Sequence, residues 1–161
     1  MSAFLLDTNV ISEYAEPIRG ERVVAWMAAQ APADLFLSAI TLAEPVRGTV
    51  RMVESRRREA LSRWIRDELR PRFEDGILPF DGEAAVIWGR ILGAGDRRGR
   101  PMPILDARIA AISIRHGLVL ATRNVADFRA KNVLVFNPRD PGEPPAPDTR
   151  SRIARREPPL P

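Results

Sequence analysis

The sequence has no cysteine, one histidine (His116) and one lysine (Lys131) among its 161 residues. Each scarcity excludes something. Without cysteine there is no disulfide, no thiolate metal site and no cysteine nucleophile. That fits a reducing cytoplasm. With one histidine, imidazole general-base chemistry has a single candidate. His116 stands in IRHGLV, where a helix is expected to end before Gly117. A cation at a helix C-terminus is a routine stabiliser, and that structural role is the reading for His116. No apolar run approaches the roughly 20 residues of a membrane span. No basic stretch leads into a long apolar segment at the N-terminus, so no secretion signal is expected.

What is present is arginine. Net charge is +4 and the pI is about 10.8, with almost all of the positive charge on guanidinium groups. Arginine makes planar, bidentate contacts with phosphate, so a nucleic-acid partner and a solvated basic surface are both open from charge alone. The length suits one domain with one core.

Short apolar runs at Ala3–Leu6, Leu35–Ser38, Ile77–Phe80, Leu118–Thr122 and Val133–Phe136 read as buried parallel strands. Segments with helical spacing lie between them. Val23, Trp26 and Met27 mark one; Val53, Leu61, Trp64, Ile65 and Leu69 mark another. Ala84, Ile87, Trp88, Ile91 and Leu92 mark a third, and Leu105, Ile109 and Ile112 a fourth. Strands alternating with helices predict an α/β fold, with a mainly parallel sheet covered on both faces. From Asn137 the composition changes. NPRDPGEPPAPDTRSRIARREPPLP holds eight prolines and little that is apolar. The expected organisation is a domain over 1–137 and a disordered or extended tail over 138–161.

In AFLLDTNVISE an apolar run ends in Asp7. Ligands of parallel α/β sheets bind beyond the carboxyl ends of the strands. Glu44 follows the second run, Asp127 follows the fourth, and Asp106 opens the fourth helix. Four carboxylates from distant parts of the chain are thus expected at one edge. Two unit charges about 4 Å apart repel by roughly 4 kcal/mol at an effective dielectric of 20. A hard divalent cation, Mg²⁺ or Mn²⁺, would offset that. It would also activate water and stabilise charge on a phosphoryl group. The predicted chemistry is metal-assisted phosphodiester hydrolysis without a covalent intermediate. Each acid also has a plainer reading. Asp7 suits a helix N-cap. Glu44 suits a capping box with Thr41. Asp106 suits a helix start, and Asp127 a short turn before Phe128.

LLDTNVISE, SAITLAEPVRG and PILDARIAAISIRHGLVLATRNVADF together resemble the PIN-domain ribonucleases. The likeness is to VapC-type toxins of bacterial toxin–antitoxin pairs and the similar FitB proteins, over about residues 3 to 137. The resemblance implies an α/β/α sandwich and a Mg²⁺- or Mn²⁺-dependent endoribonuclease. It implies Asp7 and Asp106 as central metal ligands, with Glu44 and Asp127 binding directly or through water. Thr8 and Asn9 would orient Asp7, and Thr122 and Asn124 would support the ligands from behind. It also implies a homodimer, an antitoxin partner, and operator DNA bound only through the antitoxin complex. The exposed apolar residues of the expected Val53–Leu69 helix offer a groove wall for an antitoxin segment. Arg51, Arg56, Arg57 and Arg58 suit RNA phosphates, or simply a solvated helix face.

Pro45 departs from the family pattern, where a helix former usually follows the glutamate. With Thr41 as N-cap it would stand at N4 and deprive the Thr41 carbonyl of its donor, so a shifted or kinked helix start is expected. Other readings fit less well. A receiver-type phosphoacceptor wants a lysine near the fourth or fifth strand, and only Lys131 exists. A haloacid-dehalogenase-type phosphatase wants an aspartate where Asn9 stands. A catalytically silent PIN-like binding module in a repressor complex remains the alternative. Nothing in the motifs tests for a 2′-hydroxyl, so RNA rather than DNA rests on the resemblance.

Overall fold

A computed structural model describes residues 2–16, 20–129, 133–140 and 142–145. Lys131 and most of the proline-rich tail lie outside the described residues. Five parallel strands form one sheet in the order β3-β2-β1-β4-β5. They are β1 (Phe4–Leu6), β2 (Leu35–Ser38), β3 (Ile77–Leu78), β4 (Val119–Ala121) and β5 (Val135–Phe136). Each falls inside one of the expected apolar runs.

The side-chain period of two sorts the strands' residues onto two faces. Phe4, Leu6, Leu35, Leu37, Val119 and Ala121 point one way. There they meet α1 (Thr8–Ala15), α2 (Glu21–Ala28) and the helix that starts as α4 (Arg56–Trp64). Leu5, Phe36 and Leu120 point the other way, onto α6 (Gly82–Arg97) and α7 (Ile104–His116). Two cores with a sheet between them make the three-layer α/β/α sandwich.

The sheet order places β1 at the centre. Its Leu6 is in register with Leu37 on one side and Ala121 on the other. The next residue along each strand is polar: Asp7 in β1, Ser38 in β2 and Thr122 in β4. Between β1 and β4 the strand order reverses, which is where open α/β sheets bind ligands.

Three expectations about helices are corrected. α3 (Ala39–Arg51) is capped by Ser38, whose side chain accepts from Thr41 N. Glu44 is therefore the sixth helical residue and forms no capping box with Thr41. Pro45 stands inside α3 rather than near its start. The predicted helix from Val53 begins later. Met52 leaves α3 with extended backbone, Val53 is 84% exposed, and Ser55 starts α4 by accepting from Arg58 N. Beyond Trp64 the helix widens to π geometry over Ile65–Leu69 and closes in a last turn, α5 (Arg70–Arg72). Asp127 lies within a short helix, α8 (Val125–Arg129), rather than in a turn. His116 ends α7 as expected, with Gly117 adopting the left-handed conformation that glycine favours (φ 60°). Among the described residues no helix is long and apolar enough to cross a membrane.

Candidate active site

Asp7 is buried at the carboxyl end of β1. Two expectations for it, cap and site residue, turn out to be compatible. Its Oδ1 accepts from Thr8 N at 2.7 Å, capping α1. Its Oδ2 accepts from Thr122 Oγ1 at 2.7 Å and from Asn9 Nδ2 at 2.8 Å. Asn9 Nδ2 also reaches Thr122 Oγ1 at 3.0 Å, and Asn124 N donates to the same hydroxyl at 3.1 Å. Thr8, Asn9, Thr122 and Asn124 thus form one polar cradle around a single carboxylate. Burial raises the Asp7 pKa. Hydrogen bonds from Thr122, Thr8 and Asn9, and the charge of Arg123, oppose the rise without cancelling it.

Asp106 is the third residue of α7 and is half-buried. Its pKa is pushed up to about 6, first by burial and then by the charges of Asp7, Glu44 and Asp127. One carboxyl therefore feels the other three. Nothing among the described residues lowers its pKa by hydrogen bonding. Glu44 reaches across from α3 and accepts from Thr8 Oγ1. Asp127 is exposed at the rim.

Among the described residues no three acidic or imidazole side chains stand close enough to hold a metal ion as they are. Asp106 feels the other three acids, but among the described residues they do not form a closed coordination shell. Their chemistry still suits a hard cation. All the donors are carboxylate oxygens, and Mg²⁺ keeps several waters and needs only one or two carboxylates. Asp106, with no cationic or hydrogen-bonding partner among the described residues, is the group such an ion would relieve.

The expected arginines are more scattered. Arg51 is exposed at the end of α3, and Arg56, Arg57 and Arg58 form the first turn of α4. Positive charge there opposes the helix dipole. Arg57 pairs with Glu16 at 3.4 Å and Arg58 with Glu54 at 3.8 Å. Arg57 also lines a groove of about 680 Å³ between α1, α3 and α4. The groove has an apolar floor of Ile11, Pro45, Leu61 and Trp64 and opens onto Thr8 and Glu44.

Sequence reasoning assigned nothing to Glu13, Arg123 or Arg139. Glu13 sits on the inner face of α1, three residues after buried Val10. A carboxylate at an apolar position of a helix was the available signal. It is held by Arg123 at 3.0 Å and Arg139 at 2.9 Å. Arg139 lies beyond residue 137. A chain ending at 137 is therefore expected to melt about 2–4 °C below one ending at 145, having lost one half-exposed partner of Glu13. Thermal melts of the two truncations check this.

The PIN domain family model matches residues 4–133. Toxin FitB of Neisseria gonorrhoeae is 40% identical over 134 residues, covering 83% of this chain and 96% of its own. VapC ribonuclease Y4jK of Sinorhizobium fredii is 37% identical over 139 residues, covering 85% and 98%. The solved structure of FitAB bound to an IR36 DNA fragment superposes with a TM-score of 0.77 at 38% identity. It covers 84% of this chain and 94% of that one. The family model and these relatives match most of the chain's length, and the solved structure shares its fold: the chain belongs to the PIN-domain family.

Proposed function

We propose that this chain is a metal-dependent endoribonuclease and the toxin of a toxin–antitoxin pair. The observation that carries the reading is Asp106, whose carboxyl is surrounded by the charges of Asp7, Glu44 and Asp127. Similarity to proteins named toxin FitB and VapC ribonuclease supports it. Asp7 and Asp106 would hold the cation, Mg²⁺ or Mn²⁺, with Glu44 and Asp127 binding directly or through water. When bound, such an ion supplies the positive charge that activates water and stabilises a phosphoryl group in flight.

The chain's own residues do the rest. Thr8 N–H, Thr122 and Asn9 fix both oxygens of Asp7, so its direction is set before anything binds. Burial of Asp7 strengthens its electrostatic effect. Thr8 also holds Glu44, tying α3 to the first turn of α1. On this reading the nuclease domain is residues 1–137, with 138–140 laid against it through Arg139.

The apolar groove beside Glu44 is where an antitoxin segment would lie, with a cationic side chain turned toward the acids. The toxin would act as a homodimer in the cytoplasm, and operator DNA would be met through the antitoxin complex. Arg51 and Arg56 to Arg58 are proposed RNA contacts. The second reading, a silent binding module in a repressor complex, draws on the apolar groove beside Glu44.

The test is incubation of total cellular RNA with the purified full chain in Mg²⁺, Mn²⁺ or EDTA. Discrete fragments in either metal, and none in EDTA, are expected. Intact RNA in both metals, from a chain that melts cooperatively, would favour the binding module instead.

A further inference from the structure

Glu13 is 7% exposed. A charge at that depth needs partners, and it has two. Arg123 places Nε 3.0 Å from Oε1, and Arg139 donates from Nε to Oε2 at 2.9 Å. Two guanidinium groups on one carboxylate leave a positive surplus beside four acids. Arg123 is the member next to the site. It directly follows Thr122, its backbone N–H donates to Asn9 Oδ1 at 3.1 Å, and its charge acts on Asp7. Its side chain stays 43% exposed. With Asn124 and Asp127 it lines a groove of about 610 Å³ that runs along β5 to Asn137, Asp140 and Glu143.

Arg139 gives Glu13 a hydrogen-bonded ion pair at Oε2, while Oε1, 3.0 Å from Arg123 Nε, accepts no hydrogen bond among the described residues. A guanidinium offers five N–H donors in a planar fork. Nε lies beside Glu13, and the half-exposed side chain lines the groove. That arrangement suits a phosphate oxygen, and its place beside the acids suits a strand entering them.

We propose that Arg123 binds a backbone phosphate of the RNA, adjacent to the one being cleaved, and that Glu13 is the positioning residue that holds it. This rests on the ribonuclease reading above. Arg139 keeps Glu13 paired and closes the far side.

The experiment uses the full chain carrying Asp106→Asn, so that RNA is not consumed. Binding of a fluorescein-labelled single-stranded RNA of about 20 nucleotides is followed by anisotropy in Mg²⁺ across a salt series. The Asp106→Asn chain should bind, more weakly as salt rises. Adding Arg123→Gln should weaken binding about fivefold to tenfold and flatten the slope of log Kd against log salt by about 0.7. Arg123→Lys should keep the slope, since it keeps the charge. A purely structural role for Arg123 would leave the slope alone. If Arg123→Gln melts far below its parent, the double variant Glu13→Gln/Arg123→Gln removes the buried charge as well and carries the same expected slope change. Equal Kd and equal slope with and without Arg123, in a parent that binds RNA, would overturn the inference alone. A parent that binds no RNA would overturn the ribonuclease reading, and the inference with it.

Discussion

Asp106→Asn is expected to lower metal-dependent RNA cleavage by on the order of 100-fold or more, while the metal-free protein melts higher than the wild type. The two halves have one cause. Loss even of groups that only support a metal ligand costs about 10–100-fold in affinity or activity, so loss of Asp106, as the proposed ligand, should cost at least that. Without metal, the same carboxylate is a liability. Its pKa is raised to about 6 by burial and by three like charges, so the fold disfavours its charged form. The net direction of that shift outweighs the favourable place of an acid in the first turn of α7. Asn keeps the shape and removes the charge. Because Asp106 is only half-buried, solvent screens the effect, and the rise should be a few degrees at most.

The sign of the pH dependence follows. A carboxyl whose folded pKa lies above its unfolded value stabilises most when protonated. That contribution is full below the unfolded pKa and is lost as pH rises through about 6. In EDTA, the melting advantage of Asp106→Asn should therefore be largest above about pH 7 and shrink toward pH 4. A gap that is constant across that range would show that the four acids do not sense one another. Asp7→Asn should also lose cleavage but gain no stability. With its amide oxygen on Thr8 N, its NH₂ would face the amide of Asn9, itself a donor. Asp106→Asn is thus the cleaner test.

Most of the frame was legible because it depends on local pattern. The short apolar runs gave the strands, and Asp7, Glu44, Asp106 and Asp127 stood out as acids at their ends or at a helix start. What misled was the choice between neighbouring caps. Thr41-x-x-Glu44 has the form of a capping box, but Ser38, at the end of β2, claims that role with the Thr41 amide. Only the register of β2 against β1 decides between them. Val53 fitted a helical spacing, yet Ser55 is the residue that starts the helix. Glu13 was hidden for another reason. Its two partners lie 110 and 126 residues away in sequence, one after β4 and one after β5. No window along the chain brings them together.

Phe4→Ala should have the opposite signature to Asp106→Asn: a large loss of stability with the chemistry of each folded molecule spared. Phe4 is 1% exposed in the central strand. Its ring meets Trp26 edge-on with centroids 5.0 Å apart and lies 6.0 Å from Phe136. Truncating a buried phenylalanine costs about 3–5 kcal/mol, from lost transfer energy and the cavity left behind. Aromatic pairing adds to that loss. For a chain of this size the melting temperature should fall by roughly 6–20 °C. The variant keeps Asp7, its cradle and the other three acids. Cleavage per folded molecule at low temperature should then stay within about twofold of wild type, because twofold is only about 0.4 kcal/mol in the barrier. A fall in melting temperature of under about 3 °C would mean that the Phe4–Trp26–Phe136 cluster is not the core it is taken to be. A folded variant that cleaves far more slowly would mean that β1 does more than hold Asp7 in place. The packing of that strand would then be part of how the acids are aligned.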